Sequence, residues 1–225
     1  MSRYKRISNS PFERKHFLRS WCWMDNVFND EEITNIEFLT KKNRKLEPGL
    51  TFGVRSSEEK NSEELSKSME NMRKNVRRSN VAFVEPTEEN IWIFDRFNGL
   101  IENLNENFYS FDLNGYSSFQ YSEYRADENG TYNWHMDMGL DNISKDKQND
   151  DMRKLSLVML LNHPGIDFEG GSFYINTSLE SNPVEVPMKK GTVILFPSFL
   201  LHTVSPVTKG IRKSIVIWVE GPKFR

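Results

Sequence analysis

The chain has 225 residues, and its 16 Phe, 7 Tyr and 5 Trp supply enough bulky apolar material for a sizeable core. Its 30 Lys and Arg nearly balance 32 Asp and Glu, and a net charge of -2 argues against a general nucleic-acid field. A mean hydropathy of -0.65, with no apolar run near the roughly 20 residues that cross a bilayer, argues against a membrane-embedded chain.

Residues 1–20 are polar and basic without periodicity, and read as an extended arm. The start, Met1-Ser-Arg3-Tyr-Lys5-Arg6, has no apolar segment after it, so no secretory leader is expected. The single cysteine, Cys22, excludes an internal disulfide framework and fits a reducing cytoplasm. Between Trp21 and Trp23 it reads as a buried thiol. Residues 30–46 then read as a helix capped by Asp30, with Glu31 and Glu32 in its first turn and an apolar stripe of Ile33, Ile36 and Phe38-Leu39. Pro48-Gly49 is expected to end it.

The stretch 56–78 is rich in charge and poor in apolar residues, and reads as a flap. Within it, Arg73-Lys74 and Arg77-Arg78 lie close to Glu63, Glu64 and Glu70. That mixture favours a solvated charged face over a contact for an acidic partner. Val81-Ala-Phe-Val84 suggests a short strand. Pro86-Thr87 followed by Glu88 and Glu89 suggests a helix start, with Ile91, Phe94, Asn98 and Ile101 near helical spacing to about Asn107.

From Ser117 the pattern changes to short strands, expected at 117–124, 132–137, 155–161, 171–175, 184–187, 192–196, 201–205 and 213–219. Turn signals separate them, among them Asn129-Gly130, His163-Pro164-Gly165, Glu169-Gly170-Gly171 and Lys190-Gly191. Eight strands at this spacing predict a jelly roll, a double-stranded β-helix of two facing sheets. The N-terminal helices would pack on one sheet, so the expected class is α+β. The expected organisation is a single domain over 1–225, with a helical support region at 21–112 and the jelly-roll core at 113–225. The polar insertion 139–153 would sit beside the candidate site as a lid, the plainer alternative being a solvated loop.

The chemistry is carried by Gly130-Thr-Tyr132-Asn-Trp134-His135-Met-Asp137. On a strand, His135 and Asp137 project to one face, and a distant His202 would complete two imidazoles and one carboxylate. This set leaves open positions on iron(II) and is the arrangement of non-haem oxygenases. The pair alone carries little weight, since 4 His and 32 acids make about 0.6 such pairs by chance. Arg212 adds to it. On the last strand Arg212, Ser214, Val216 and Trp218 share one face, and Ile215, Ile217 and Val219 the other. The first set places a cation and a hydroxyl in a cavity, where a buried Arg needs an anionic partner. A dicarboxylic cosubstrate would provide one, with Ser214 as a second hydrogen-bond donor; an internal Asp or Glu is the alternative. Tyr124 and Tyr132 flank the turn that leads into the pair, and a Tyr hydroxyl there suits a carboxylate. His163 reads as a turn residue, and His16 stands without company.

The run from Tyr124 through Gly130 and His135 to Asp137 resembles the metal strand of prolyl 4-hydroxylase-type iron(II)/2-oxoglutarate dioxygenases. Glu169-Gly170-Gly171, Gly191 to Ser198, and His202-Thr-Val204-Ser-Pro206 to Arg212 resemble the PKHD-type hydroxylase branch. The resemblance covers about residues 117–220, and the upstream Val76-Arg77-Arg78-Ser79 is less diagnostic. It implies iron(II) ligation by His135, Asp137 and His202, and a hold on the far carboxylate of 2-oxoglutarate by Arg212 with Tyr124. The turn after Tyr124 is about two residues longer than in many relatives. The collagen-type branch usually has Lys where Arg212 stands. DNA- and RNA-dealkylating relatives carry a further Arg where this chain has Trp218, which counts against a nucleic-acid substrate.

The implied reaction hydroxylates an unactivated C–H bond, of a prolyl or other side chain of a peptide or protein, releasing succinate and carbon dioxide. Ascorbate is implied as an accessory through the family alone. The implied location is the cytoplasm, that of the host for a phage-encoded chain. An oxygenase acting on a nucleotide or small metabolite, and a jelly-roll binding module without activity, are the alternatives. The latter would show a damaged triad or a lost Arg212.

Overall fold

The computed structural model describes residues 20–49, 67, 70–71, 75–138, 151–177 and 182–223. In chain order its elements begin with β1 (Cys22–Met24), α1 (Asp30–Asn43), β2 (Glu47–Pro48), β3 (Arg77–Arg78), β4 (Asn80–Val84) and α2 (Ile91–Phe108). Then come β5 (Phe119–Arg125), β6 (Thr131–His135), β7 (Met152–Leu160), β8 (Phe168–Gly170) and β9 (Phe173–Asn176). The last are β10 (Val184–Glu185), β11 (Val193–Pro197), β12 (Leu201–Val204) and β13 (Val207–Gly221).

These strands form two antiparallel sheets. The larger has the order β1-β11-β7-β13-β5-β4-β2, with β8 paired to the first part of β13. The smaller has the order β10-β9-β12-β6-β3. Strands far apart in sequence are neighbours in both sheets, as a jelly roll requires, and the fold is α+β.

Helices α1 and α2 cover the outer face of the larger sheet. Ile33, Ile36 and Leu39 of α1 and Ile93, Phe94, Phe97, Leu100, Ile101 and Leu104 of α2 are buried. They share one core with Leu155, Leu157 and Met159 of β7 and with Ile215, Ile217 and Val219 of β13. The alternate residues of the same strands face the smaller sheet, around a second cluster built on Tyr124, Val158, Leu160, Phe173, Ile175 and Phe196. Cys22 is buried in the helix-side core, as expected.

Several boundaries differ from the sequence reading. Asn29, not Asp30, caps α1: its Oδ1 accepts from Glu32 N at 2.9 Å, and Glu32 Oε2 accepts from Asn29 N at 2.8 Å, a reciprocal capping box. Asp30 pairs instead with Lys190, at 2.6 Å. The helix ends at Asn43, because residues 47–48 pair with β4 as an edge strand. Helix α2 starts at Ile91; Asn90 first ties the preceding turn together, its side chain accepting from Thr87 N at 2.7 Å and donating to Glu85 O at 3.0 Å. The Gly170-Gly171 break separates two strands, β8 and β9, where one was expected, and β13 is longer than the expected 213–219. The arm over 1–19, flap positions 56–66, 68–69 and 72–74, and lid positions 139–150 lie outside the described residues. Lid positions 152–153 belong to β7.

Candidate metal and cosubstrate site

The smaller sheet brings the sequence-predicted triad together. β12 pairs with β6 so that His202 lies opposite His135. Asp137 sits two residues past that register, close to both: His135 Nε2 is 3.7 Å from its Oδ1 and His202 Nε2 is 3.4 Å from its Oδ2. One ligand atom from each residue falls within 4.8 Å of the others, a spacing that can hold a metal ion. Strand β6 stops at His135, so pleat alternation alone does not place Asp137, contrary to the reading of 132–137 as one strand. The bend after the strand does: Asp137 N and Met138 N both donate to Ser198 O at 3.0 Å.

The chemistry of the donors is set by what holds them. His135 Nδ1 lies 2.7 Å from Asn133 O and His202 Nδ1 lies 2.9 Å from Leu200 O. A carbonyl only accepts, so each Nδ1 carries a hydrogen, and each Nε2 faces Asp137 as the ring atom left for a metal. Burial, then the neighbouring His202, push the His135 imidazole down to about 3, which keeps it neutral at physiological pH. Burial alone would raise Asp137, but His202, His135 and a hydrogen bond from Ser156 outweigh it and hold the carboxyl below its ordinary range. Ser156 Oγ donates to Asp137 Oδ2 at 2.7 Å and lies 2.9 Å from Ser198 Oγ. Two imidazoles and one carboxylate, buried on one side of a cavity, suit a divalent metal with positions left open.

On the facing sheet, β13 and β5 place Arg212 opposite Tyr124. Arg212 is 2% exposed, its Nη1 donates to Ser214 Oγ at 3.1 Å, and its Cζ lies 5.5 Å from the Tyr124 ring centre. No carboxylate pairs with it among the described residues, so the internal Asp or Glu partner is not found there. Burial lowers its pKa, yet an arginine stays charged at neutral pH. Gly171 makes room for it: with φ +64, it leaves free a position where a Cβ would come within 2.9 Å of Arg212 Cδ. Arg212, Ser214, Tyr124 and the triad line one cavity between the sheets. A larger cavity, about 650 Å³, opens beside Trp21, Trp23, Phe168 and Met188 and shares Arg212 and Phe173 with it, but contains none of the triad.

Sequence reasoning missed three residues here. Ser156 stands in an apolar strand, and its alternation with Val158 and Leu160 was the available signal. Ser198 follows the β11 run and was read only as part of a motif. Arg77, read as part of a solvated face, is instead 4% exposed on β3, paired opposite Tyr132 and lining the cavity. Its guanidinium lies 4.7 Å from the Tyr132 ring centre, and that ring stacks on His135. His163 is the turn residue expected, its carbonyl accepting from Asp167 N at 2.9 Å.

Comparison with known proteins agrees with this geometry. Residues 119–220 match the family model described as the 2OG-Fe(II) oxygenase superfamily. The PKHD-type hydroxylase YbiX of Escherichia coli O157:H7 is 34% identical over 98 residues, which cover 43% of this chain and 40% of that protein. The chain therefore spans well under half the length of the curated relatives it matches. A Pseudomonas putida prolyl-4-hydroxylase superposes with a TM-score of 0.64 at 16% identity, covering 91% of this chain and 94% of that one. The viral collagen prolyl hydroxylase of Paramecium Bursaria Chlorella virus-1 gives 0.60 at 20% identity, covering 90% and 97%. At these identities the likeness is one of fold. No helix among the described residues is long and apolar enough to cross a membrane.

Proposed function

We propose, from the match of residues 119–220 to the 2OG-Fe(II) oxygenase superfamily model and from the site's geometry, that the chain is an iron(II)- and 2-oxoglutarate-dependent dioxygenase. In this reading it hydroxylates an unactivated C–H bond of a peptide or protein side chain, prolyl foremost, and releases succinate and carbon dioxide. The observation that carries the reading is Arg212: a fully buried cation with no carboxylate partner among the described residues, across one cavity from the His135, Asp137 and His202 donors. A charge in that setting is costly unless an anion joins it, and 2-oxoglutarate supplies both that anion and a metal-chelating end.

His135 and His202 would present Nε2, and Asp137 a carboxylate oxygen, to iron(II). Arg212 would hold the far carboxylate of 2-oxoglutarate, with the Tyr124 hydroxyl as a second donor. Ser214 fixes the guanidinium by accepting from Nη1, and its own hydrogen remains available to the same carboxylate. Iron(II) with 2-oxoglutarate, when bound, supplies the activation of oxygen. The chain supplies position and dryness: Phe173, Val158, Val204 and Val216 wall the cavity, and Ser156 keeps the Asp137 carboxylate turned toward both imidazoles.

The purified protein, given iron(II), 2-oxoglutarate and oxygen, should release succinate slowly without a substrate, and Asp137→Ala should stop it. Equal release from the variant would remove the triad from the account. A peptide library scored by mass for the gain of one oxygen then tests the substrate class; gain on no prolyl peptide would exclude the prolyl assignment.

A further inference from the structure

The cavity holds a second buried guanidinium that this reading does not use. Arg77 Nε donates to Ser79 Oγ at 2.7 Å, and Gly49 leaves the space that both occupy, since a Cβ there would come 2.6 Å from Ser79 Oγ and 3.0 Å from Arg77 Nε. Arg77 Nη2 is buried without a hydrogen-bond partner, and no carboxylate pairs with Arg77 among the described residues. The Trp218 indole nitrogen, lining the same cavity from the facing sheet, is also buried without a partner. The Arg153 guanidinium over the Trp218 ring, 4.1 Å from its centre, is already engaged with the Asp137 carbonyl oxygen at 3.4 Å. Buried donors left unpaired cost free energy, more so when charged, and such groups in a cavity wall point to an acceptor that arrives with a ligand.

Charge selects the acceptor. Iron(II) and Arg212 together match Asp137 and doubly charged 2-oxoglutarate, and Asp137 is the one acidic residue of the cavity wall among the described residues. Arg77 is the cation left over. A single surplus charge fits a monoanion better than a phosphate dianion, and a carboxylate has two oxygens to take one N–H from each sheet.

We propose that Arg77 and Trp218 form a carboxylate subsite for the substrate, so that the hydroxylated carbon lies in a molecule bearing an acid group close by. This deepens the oxygenase reading and rests on it. The carboxylate could belong to a free or N-acylated amino acid, or to an acidic side chain of a peptide; both present the same group to Arg77.

The test begins with anaerobic protein carrying iron(II) and 2-oxoglutarate, whose visible charge-transfer band reports the chelate. Calorimetric titration follows with matched pairs: N-acetyl amino acids against their amides, and short amidated peptides containing Asp against the same peptides containing Asn. In at least one arm the acid should bind about ten- to a hundredfold more tightly than its neutral partner, and the arm identifies the source of the carboxylate. Arg77→Gln should erase most of that preference, Arg77→Lys should keep part of it, and Trp218→Phe should lower it by about tenfold. Acids that bind no better than their partners in any pair, whether both bind or neither does, overturn the subsite. A preference that survives Arg77→Gln overturns it too. The wild-type comparison stands even if a variant fails to fold. Absence of the chelate band strikes the oxygenase reading itself, whereas a band without acid preference strikes this inference alone.

Discussion

Strand β13 has two faces in two different media. On one, Ile215, Ile217 and Val219 meet the helices in an apolar core, with the Tyr121–Glu123 hydrogen bond at its edge. On the other, Arg212, Ser214, Val216 and Trp218 face a cavity whose walls include Gln120, Asp137 and His202. β7 divides the same way, Leu155, Leu157 and Met159 toward the helices, Val158 toward the cavity and Ser156 toward Asp137. The helix side needs nothing more to be stable: apolar area leaves water and the faces interlock. The cavity side holds charge and donors that a ligand must complete. Stability and chemistry thus lie on alternate residues of the same strands, and substitutions one residue apart should affect different measurements.

The largest separation is expected between Asp137 and Phe97. Asp137→Ala should take succinate release to background while the denaturation midpoint of the metal-free protein hardly moves; a collapse of the fold would show that the site also carries stability. Phe97→Ala, which empties a fully buried position under the helices, should cost about 3–5 kcal/mol in urea unfolding. A loss below about 1 kcal/mol would mean that the helix side is not the stabilising one.

Ser156→Ala should weaken iron(II) binding about 10- to 100-fold, because the carboxylate loses the hydroxyl that orients it. Leu157→Val, its neighbour on the other face, should leave iron binding alone and cost about 1 kcal/mol of stability. Equal effects on iron would blur the two faces.

Acid should act mainly through the cavity side. Folded His135 resists protonation down to about 3, whereas the unfolded imidazole titrates near 6.5. The unfolded state therefore takes up more protons in that window, and the metal-free protein should lose stability as pH falls from about 6.5 toward 3. Asp137, held below its ordinary 3.8, adds a loss that begins only near that value. His135→Gln should flatten the upper part of the slope in thermal melts; an unchanged slope would assign it to other groups.

What the sequence could and could not reveal follows the same division. Alternation along 214–219 exposed both faces of β13, because Ile215, Ile217 and Val219 are uniformly apolar while the other face carries a hydroxyl and, at 212, a cation. The triad was legible through its order with Arg212 and Tyr124, not through His135 and Asp137 alone. Arg77 was hidden by its neighbours: the charges around it describe a polar stretch, whereas its burial comes from pairing with Tyr132, a contact between residues far apart in sequence. Asn29 lost the cap to Asp30 in the reading because both suit that role, and only the reciprocal bond with Glu32 decides between them. The position of Asp137 was not legible, since the bend holding it depends on Ser198, in the turn after β11.

The central claim is that the cavity face is completed by 2-oxoglutarate on Arg212, and calorimetry of 2-oxoglutarate binding to iron(II)-loaded protein without oxygen tests it most directly. Wild type should bind, and Arg212→Met should lose about 3 kcal/mol, roughly a hundredfold, while its iron(II) affinity stays unchanged. The same variant, freed of a buried unpaired charge, should unfold no earlier than wild type without ligands. Equal 2-oxoglutarate binding by both proteins, or an Arg212→Met variant that no longer folds, would contradict the account and make Arg212 a structural residue.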